Sequence, residues 1–319
     1  MALRGKILGW ALASCLGLSV PSHAQHDYPS RVVQIVNPYQ AGSTTDVLAR
    51  ALAVGLSARL GQQFVVVNRP GAGGALGAVS VVRSEPDGYT LLFAPALIVS
   101  VLPAARADTG YDANSLVPVC QTFSNAMALA VRPDSPFKSL ADLVQAARQK
   151  PGRLNYGHQG PSTIPHLAME EFLDAAGLKI DGIPYRGDPA VMTDLLGGRL
   201  DVAAIVLGSA REQNVRLLGV FADERHPSVP EAPTVKEQGF DVSPTSFGGL
   251  LAPTRTPPEI VDKLAAVCAG AAKDDAYATT AQRAFQPANY YADRETFQAR
   301  LAHDIEVKKR LLGRMPALP

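Results

Sequence analysis

The chain has 319 residues, with 30 Lys and Arg against 29 Asp and Glu, so its formal net charge is +1. A near-neutral chain without basic runs gives no support to a nucleic acid or an anionic membrane as partner. The length exceeds the usual size of one hydrophobic core, and 47% of the residues are hydrophobic, which favours two folded lobes over a disordered chain.

Residues 1–24 have the features of a secretory signal peptide. Arg4 and Lys6 precede an apolar stretch that ends in Ser-His-Ala, and this stretch is shorter than the roughly 18 apolar residues of a membrane-spanning helix. We therefore expect cleavage after Ala24 and export of the rest of the chain. Removal of the leader changes the formal charge from +1 to −1.

Apolar runs of strand length alternate with segments of helical period in the first part of the chain. In chain order these are the strand RVVQIV, a helix from Thr45 to Leu60, the strand QFVVV, a helix through ALGAVSVVRS and the strand YTLLFA. In the first helix leucine recurs every four residues, and Gly61 follows as a C-terminal cap. The order β-α-β-α-β predicts a largely parallel sheet with helices on both faces.

A second α/β series begins near AMALAV. It continues through the helix SLADLVQAARQ, the strand LNYG, the helix HLAMEEFLDAAG, the strand DGIPY, the helix AVMTDLLGG and the strands LDVAAIV and VRLLGVF. The last part offers one strand, SFGGLLAP, and two helices, which we expect to return to the first lobe. The chain would cross between the lobes near 120–127 and 243–249. The predicted domains are a first lobe of residues 25–124 and 247–319, and a second lobe of residues 125–246.

Two turns between strand and helix, YQAGSTTD and GHQGPSTIPH, share a pattern. Each has Gly followed by a hydroxyl pair just before a helix, which offers hydroxyl groups and free backbone N–H groups at the positive end of the helix dipole. Neither turn contains Lys or Arg, and Arg186 is the nearest candidate cation. The pattern favours a shared anion site between the lobes. The alternative is ordinary capping by Ser43, Thr44, Ser162 or Thr163.

The candidate ligand-binding residues lie in these turns and in a third. They are Tyr39, Ala41, Gly42, Ser43, Thr44, Asp46, His158, Gly160, Ser162, Thr163, His166, Gly187 and Asp188. Asp188 precedes Pro189, an arrangement typical of a helix N-cap, although the same carboxylate could accept a hydrogen bond from a ligand.

The sequence does not support an enzyme or a cofactor-binding protein. NRPGAGGALG follows a strand and opens a helix, but its glycines do not give G-x-G-x-x-G, so a tight turn with close helix packing is the better interpretation. The chain has no G-x-S-x-G, no H-E-x-x-H and no close Cys/His grouping. We therefore predict no catalytic residue, no metal and no cofactor. A secreted hydrolase that uses His158 or His166 is the alternative from another class.

Cys120 and Cys268 remain after removal of the leader, in a compartment that permits a disulfide without requiring one. Cys268 falls on the predicted helical stripe of Ile260 and Leu264, so two small buried side chains are at least as good an interpretation as a bond. We predict that both cysteines belong to the same lobe, and the sequence leaves their pairing open.

Several blocks of the sequence, in order, resemble the Bug-type periplasmic solute receptors of tripartite tricarboxylate transporters. The blocks are YPSRVVQIVNPYQAGSTTDVLAR, VVVNRPGAGGALGAVSVVRSEPDGYTLL, YDANSLVPV, PGRLNYGHQGPSTIPHLAMEEF, IPYRGDPAVMTDLLGGRLDV, EAPTVKEQGF and SFGGLLAPTRTPPEIVDKL. The resemblance implies a two-lobed Venus flytrap of type II-like architecture, a monomer located in the periplasm. It would close on a small molecule, usually a carboxylate, and deliver it to membrane permease subunits.

The chain departs from the family pattern in the turns that would face the ligand. Ser43 stands in place of the second Gly of a common A-G-G, His158 replaces a usual Ser, and Asp188 replaces a usual small residue. The stretch IVLGSAREQNVRLL is also shorter and lacks the usual Gly-Lys. These departures leave the ligand open between a monocarboxylate, a dicarboxylate, an aromatic acid and an amide. The sequence also leaves open a receptor that signals to a membrane sensor instead of supplying a permease.

Overall fold

The computed structural model describes residues 28–105, 108–161, 163–211, 213–242, 246–288 and 290–313. The expected signal peptide and the candidate residue Ser162 lie outside these ranges. The strands are β1 (Val33–Asn37), β2 (Phe64–Asn68), β3 (Thr90–Pro95), β4 (Leu116–Asn125), β5 (Met127–Val131), β6 (Asn155–His158), β7 (Asp181–Pro184), β8 (Val202–Val206), β9 (Arg216–Phe221) and β10 (Ser246–Pro253).

The helices cover both sheets. They are α1 (Thr44–Leu60), α2 (Ala75–Val82), α3 (Leu97–Ser100), α4 (Leu102–Ala105), α5 (Leu140–Gln149), α6 (Ile164–Ala176), α7 (Asp188–Leu196), α8 (Leu207–Arg211), α9 (Pro258–Ala271), α10 (Asp275–Arg283) and α11 (Arg294–Leu312). Among the described residues, none of these helices combines the length and the apolar character needed to cross a membrane.

The strands form two five-stranded sheets, with orders β2-β1-β3-β10-β4 and β7-β6-β8-β5-β9. Strands β1, β2 and β3 are parallel in the first sheet, and β6, β7 and β8 are parallel in the second. The prediction of a largely parallel sheet was incomplete, because β10 is antiparallel to β3 and β4, and β5 is antiparallel to β8 and β9. Strand β10 runs backwards because the chain re-enters the first sheet at the end where β3 and β4 finish.

The chain passes directly from one sheet to the other. Strand β4 ends at Asn125 in the first sheet, and β5 begins at Met127 in the second. It returns between Phe221, the last residue of β9, and Ser246, the first residue of β10. Separate buried hydrophobic clusters cover the faces of each sheet, which gives the molecule two α/β lobes.

The end of the chain has one more helix than the two that the sequence predicted. Helix α10 was missed because it is short and polar, and it buries only Tyr277 and Ala281. The Tyr277 hydroxyl donates a hydrogen bond to the Thr122 carbonyl oxygen at 3.0 Å, which ties this helix to β4. A long-range contact of this kind leaves no periodic signal in the sequence.

The two cysteines lie in one hydrophobic core and form a disulfide. Cys120 lies on β4 and Cys268 on α9, with a Cα–Cα distance of 6.5 Å, and both side chains are fully buried. The predicted placement in one lobe is confirmed by their packing in the same cluster. The bond therefore fastens α9, late in the chain, to the strand that leads out of the first sheet.

The glycine-rich turn after β2 allows close packing of α2. A Cβ atom at Gly77 would lie 2.8 Å from the Pro38 Cα and 2.9 Å from the Arg69 carbonyl oxygen, too close for any side chain. This confirms the interpretation of NRPGAGGALG as a structural turn. The approach also positions Pro38, the first residue of the turn that leads from β1 to α1.

Candidate functional site

The candidate turns lie at matching edges of the two sheets. The first turn leaves the carboxyl end of β1 and leads into α1, and the second leaves β6 and leads into α6. Ligands of open α/β sheets bind outside the carboxyl ends of the parallel strands. Both turns therefore occupy the edge where a ligand is expected.

In the first turn Asp46 is the residue that holds the backbone in place. Its carboxylate is buried and accepts hydrogen bonds from the Gly42 backbone N–H at 2.8 Å and the Asn68 amide at 2.8 Å. The Arg50 guanidinium forms an ion pair with it at 3.0 Å. Burial opposes ionisation, but the hydrogen bonds from Arg50, Gly42 and Asn68 hold the pKa of Asp46 below its usual range. Its oxygens are thus occupied within the turn.

Only some backbone N–H groups of the first turn are available to a ligand. Gly42 donates to Asp46, and the Ser43 N–H donates to the Gln40 carbonyl oxygen at 3.2 Å. Ser43 is the N-cap of α1, and its hydroxyl accepts from the Asp46 N–H at 3.3 Å. The N–H groups of Thr44 and Thr45 have no hydrogen-bond partner among the described residues. These two donors are the ones that an anion could use.

The accessible part of the first turn is short. Ala41, Gly42 and Thr44 are exposed, Ser43 is partly buried, and Thr45 is buried. Tyr39 is partly buried, and burial raises the pKa of its phenol to about 12. The groups that this turn presents are therefore small side chains, hydroxyl groups and a neutral phenol.

In the second turn Gly160 and Thr163 form a compact loop. The Thr163 hydroxyl donates to the Gly160 carbonyl oxygen at 2.7 Å, and the Gly160 N–H donates to the His158 Nδ1 at 3.2 Å. Thr163 is the N-cap of α6, but its side chain makes no capping bond to the helix. Ile164, the first residue of the helix, has an N–H with no partner among the described residues.

His158 and His166 stack on each other at the start of α6. Their ring centroids are 4.1 Å apart and the rings are nearly parallel, at 15°. Burial lowers the pKa of both rings to about 4, and the neighbouring His166 adds to the shift of His158. Both imidazoles are therefore neutral at pH 7. The stack continues toward Tyr156, whose hydroxyl donates to Glu170 at 2.6 Å.

Asp188 does not cap its helix as the sequence suggested. Gly187 is the N-cap of α7, with φ of 140°, and Asp188 is the first helical residue. Its buried carboxylate accepts hydrogen bonds from the Gln159 amide at 2.7 Å and the Val206 N–H at 3.3 Å. Asp188 therefore joins the ends of β6, β7 and β8 at the edge of the second sheet.

Arg186 lies in the turn beside the second candidate turn. Its neighbour Tyr185 donates its N–H to the His158 carbonyl oxygen at 2.8 Å, so the turns after β6 and β7 are adjacent. The Arg186 side chain is exposed, and within the described ranges it makes no hydrogen bond or ion pair. A cation is thus available near the second turn, although not inside it.

Sequence reasoning missed two residues of this region, Gln159 and Asn68. Each uses a side-chain amide to hold a candidate carboxylate, Gln159 on Asp188 and Asn68 on Asp46. Gln159 stands inside the quoted turn, so its position was a usable signal. Asn68 ends β2, and only the pairing of β2 with β1 brings it beside the first turn.

The two turns remain separate in this structure. No hydrogen bond or ion pair between described residues joins the turn after β1 to the turn after β6. In the part of the chain that the structure describes, no group of three or more His, Cys, Asp or Glu side chains could hold a metal ion. Two α/β lobes that each present a strand-to-helix turn at the corresponding sheet edge have the architecture of a two-lobed solute-binding protein.

Comparison with known proteins gives the family. A family model described as "Tripartite tricarboxylate transporter family receptor" matches residues 48–314, and the chain belongs to this family. A Cupriavidus necator protein, "UPF0065 protein in gbd 5'region", is 37% identical over 259 residues, which is 80% of this chain and 79% of that protein. The family resemblance noted in the sequence is thereby confirmed.

Solved structures show the same fold. A TctC solute-binding protein from Polaromonas without ligand has 30% identity and a TM-score of 0.84, covering 90% of this chain and 100% of its own. An R. palustris protein with adipate has 30% identity and a TM-score of 0.69, and the match covers 90% of this chain and 99% of that protein. MatC from Rhodopseudomonas palustris with bound malate has 25% identity and a TM-score of 0.66, and the match covers 89% of this chain and 100% of that protein.

Proposed function

We propose that this protein captures a small carboxylate between its two lobes and delivers it to the permease subunits of a tripartite tricarboxylate-type transporter. The observation that supports this most is the pair of helix starts at corresponding sheet edges. Among the described residues, the N–H groups of Thr44 and Thr45 at one start and that of Ile164 at the other have no hydrogen-bond partner. Donors at a helix N-terminus favour an anion without a formal cation.

We further propose that the lobes stand in an open arrangement. At equal identity of 30% and equal coverage of 90%, the TM-score is 0.84 with the relative that has no ligand and 0.69 with the relative that holds adipate. A rigid rotation of one lobe lowers such a score without changing either lobe. The proposed lobes are residues 25–124 with 247–319, and residues 125–246. Closure would then bring the two turns together around the ligand.

The ligand that we propose is a small organic acid with a hydrogen-bonding group besides its carboxylate. Relatives hold adipate and malate, which are both dicarboxylates. In this chain the second turn carries the neutral imidazoles of His158 and His166. A neutral imidazole offers a hydrogen bond to a hydroxyl, an amide or a second carboxylate without adding a charge.

The identity of the ligand can be tested by thermal unfolding with a panel of organic acids. Each acid is paired with its uncharged amide, for example malate with malamide and adipate with adipamide. A ligand at about 100 times its dissociation constant stabilises the protein by about 2.7 kcal/mol, which raises the melting temperature by several degrees. We expect acids to stabilise and their amides not to. Stabilisation by amides alone would refute the anion site.

We propose that this receptor binds without catalysis and is exported to the periplasm. Incubation of the protein with any stabilising acid, or its ester, should leave the compound unchanged in an NMR spectrum. Turnover that is lost when His158 or His166 is replaced would instead support the hydrolase. Export is tested by following the chain in periplasmic extracts, where loss of residues 1–24 should be visible by mass spectrometry.

A further inference from the structure

Helix α11 is fixed in the first lobe at its beginning and middle. The Asp293 carboxylate caps it by accepting the Thr296 N–H at 2.8 Å, and Arg294 forms an ion pair with Asp262 of α9 at 2.6 Å. Phe297 and Leu301 pack in the cluster that contains β1, β3 and β10 residues. This part of the helix must therefore move with the first lobe.

The end of α11 makes a buried ion pair with the second lobe. Lys308 is 1% exposed, and its ammonium donates a hydrogen bond to the Glu171 carboxylate of α6 at 2.7 Å. Asp304, one helical turn earlier, lies 3.5 Å from the same ammonium and is 2% exposed. The contact thus places one buried cation between carboxylates of two different lobes.

Helix α6 is as firmly fixed in the second lobe. Its residues Ala168, Met169 and Phe172 are buried in the cluster that covers the second sheet. The N-cap of the same helix is Thr163, in the second candidate turn. Glu171 therefore connects the ligand-binding end of one lobe to a helix that belongs to the other.

We infer that the ion pair between Lys308 and Glu171 holds the lobes in the open arrangement, and that Lys308 is a positioning residue for ligand capture. The inference rests on the proposed function in that both require lobes that move. Lobe rotation shifts α6 against α11, and a hydrogen bond of 2.7 Å does not survive a shift of several ångströms. Separating a buried ion pair costs free energy, because each ion loses the opposite charge beside it, so this contact opposes closure.

The test is small-angle X-ray scattering of the unliganded protein. The variant Glu171→Gln with Lys308→Met removes both charges of the pair together, and the buried Asp304 carboxyl, whose pKa burial already raises, can then take up a proton. The matched control is Asp174→Asn with Arg310→Met, which makes the same charge changes on the same two helices at a pair with a 4.0 Å separation and a half-exposed arginine. Circular dichroism confirms that each protein is folded.

We expect the Glu171 and Lys308 double variant to show a smaller radius of gyration than the parent, while the control matches the parent. Lys308→Arg, which keeps the charge, should restore the parent value when Glu171 is intact. If the double variant does not fold, Glu171→Asp withdraws the carboxylate by one methylene and should give a partial decrease. A folded variant whose scattering equals that of the parent would overturn the inference. The result needs no ligand, so it stands apart from any failure of the carboxylate screen.

Discussion

The Asp46 carboxylate accepts the Gly42 backbone N–H at 2.8 Å, across four residues of the turn that opens α1. This bond closes the turn, and the next N–H groups, those of Thr44 and Thr45, have no hydrogen-bond partner in the part of the chain that the structure describes. Asp46 therefore fixes the backbone of the first half of the proposed anion site, and its own oxygens do not need to touch the ligand.

Replacement of Asp46 by Asn should destabilise the protein and weaken ligand binding. An amide has only one acceptor oxygen, so one of the donors Gly42 and Asn68 would face an N–H₂ group. We expect a loss of about 2–3 kcal/mol in the free energy of unfolding, measured by urea denaturation. Asp134→Asn, which breaks an exposed ion pair with Arg132, is the control and should change little. Equal stability of both variants would contradict the role of Asp46.

Stability should fall as the pH drops from about 6.5 toward 4. His158 and His166 have an ordinary pKa near 6.5, and burial lowers it to about 4 in the folded protein. Well above pH 6.5 neither the folded nor the unfolded chain binds a proton at these rings, so the stabilisation is complete. Below pH 6.5 the unfolded chain takes up protons first, at a cost of up to about 3 kcal/mol for each ring.

The variant His166→Phe isolates this effect. It keeps a flat ring beside His158 but removes one titrating group, so the loss of stability between pH 6.5 and 4 should be about half of that in the parent. The measurement is the melting temperature across this pH range. An unchanged pH profile would mean that the imidazole of His166 is not buried as the structure shows.

Loss of the disulfide should lower the stability of the first lobe. Cys120 and Cys268 are 148 positions apart, and closing so long a loop constrains the unfolded chain strongly. We expect Cys120→Ala with Cys268→Ala to lose about 2–5 kcal/mol in the free energy of unfolding. Reductant should lower the melting temperature of the parent and leave the double variant unaffected. If reductant leaves the melting temperature of the parent unchanged even after the protein has been unfolded in its presence, no disulfide forms.

The sequence predicts a helix or strand well where its buried face produces a periodic pattern of apolar residues. It predicts poorly where one long-range contact stabilises the element. Helix α1 follows from leucine at every fourth position, and Gly61 ends it with φ of 68°. Helix α10 is polar and depends on the hydroxyl of Tyr277, which binds β4 across 155 positions of the chain. No local pattern reports such a partner.

The site shows the same division. The pattern of Gly and hydroxyl residues places both turns at helix starts. It does not indicate which backbone N–H groups form hydrogen bonds within the turn itself. Ser43 and Gly42 donate within the turn, whereas Thr44 does not. Asp188 illustrates the same limit, because its partners Gln159 and Val206 come together only when the second sheet forms.

The most direct test of the anion site at the start of α1 is calorimetric titration of a stabilising acid into two variants of Thr44. Thr44→Pro removes the free N–H at the first helical position, where proline is well tolerated. Ser43 has φ of −66° and ψ of 158°, which suits the residue before a proline, so α1 should remain intact. Thr44→Ala is the matched control, because it removes the hydroxyl and keeps the N–H. Arg186→Ala tests whether a cation carries the anion instead.

We expect Thr44→Pro to weaken binding about fivefold or more, which corresponds to roughly 1 kcal/mol for one contact between an anion and a helix end. Thr44→Ala and Arg186→Ala should each weaken it less. If Thr44→Pro folds and binds like the parent while Arg186→Ala abolishes binding, the helix start does not hold the anion, and a charge pair with Arg186 does.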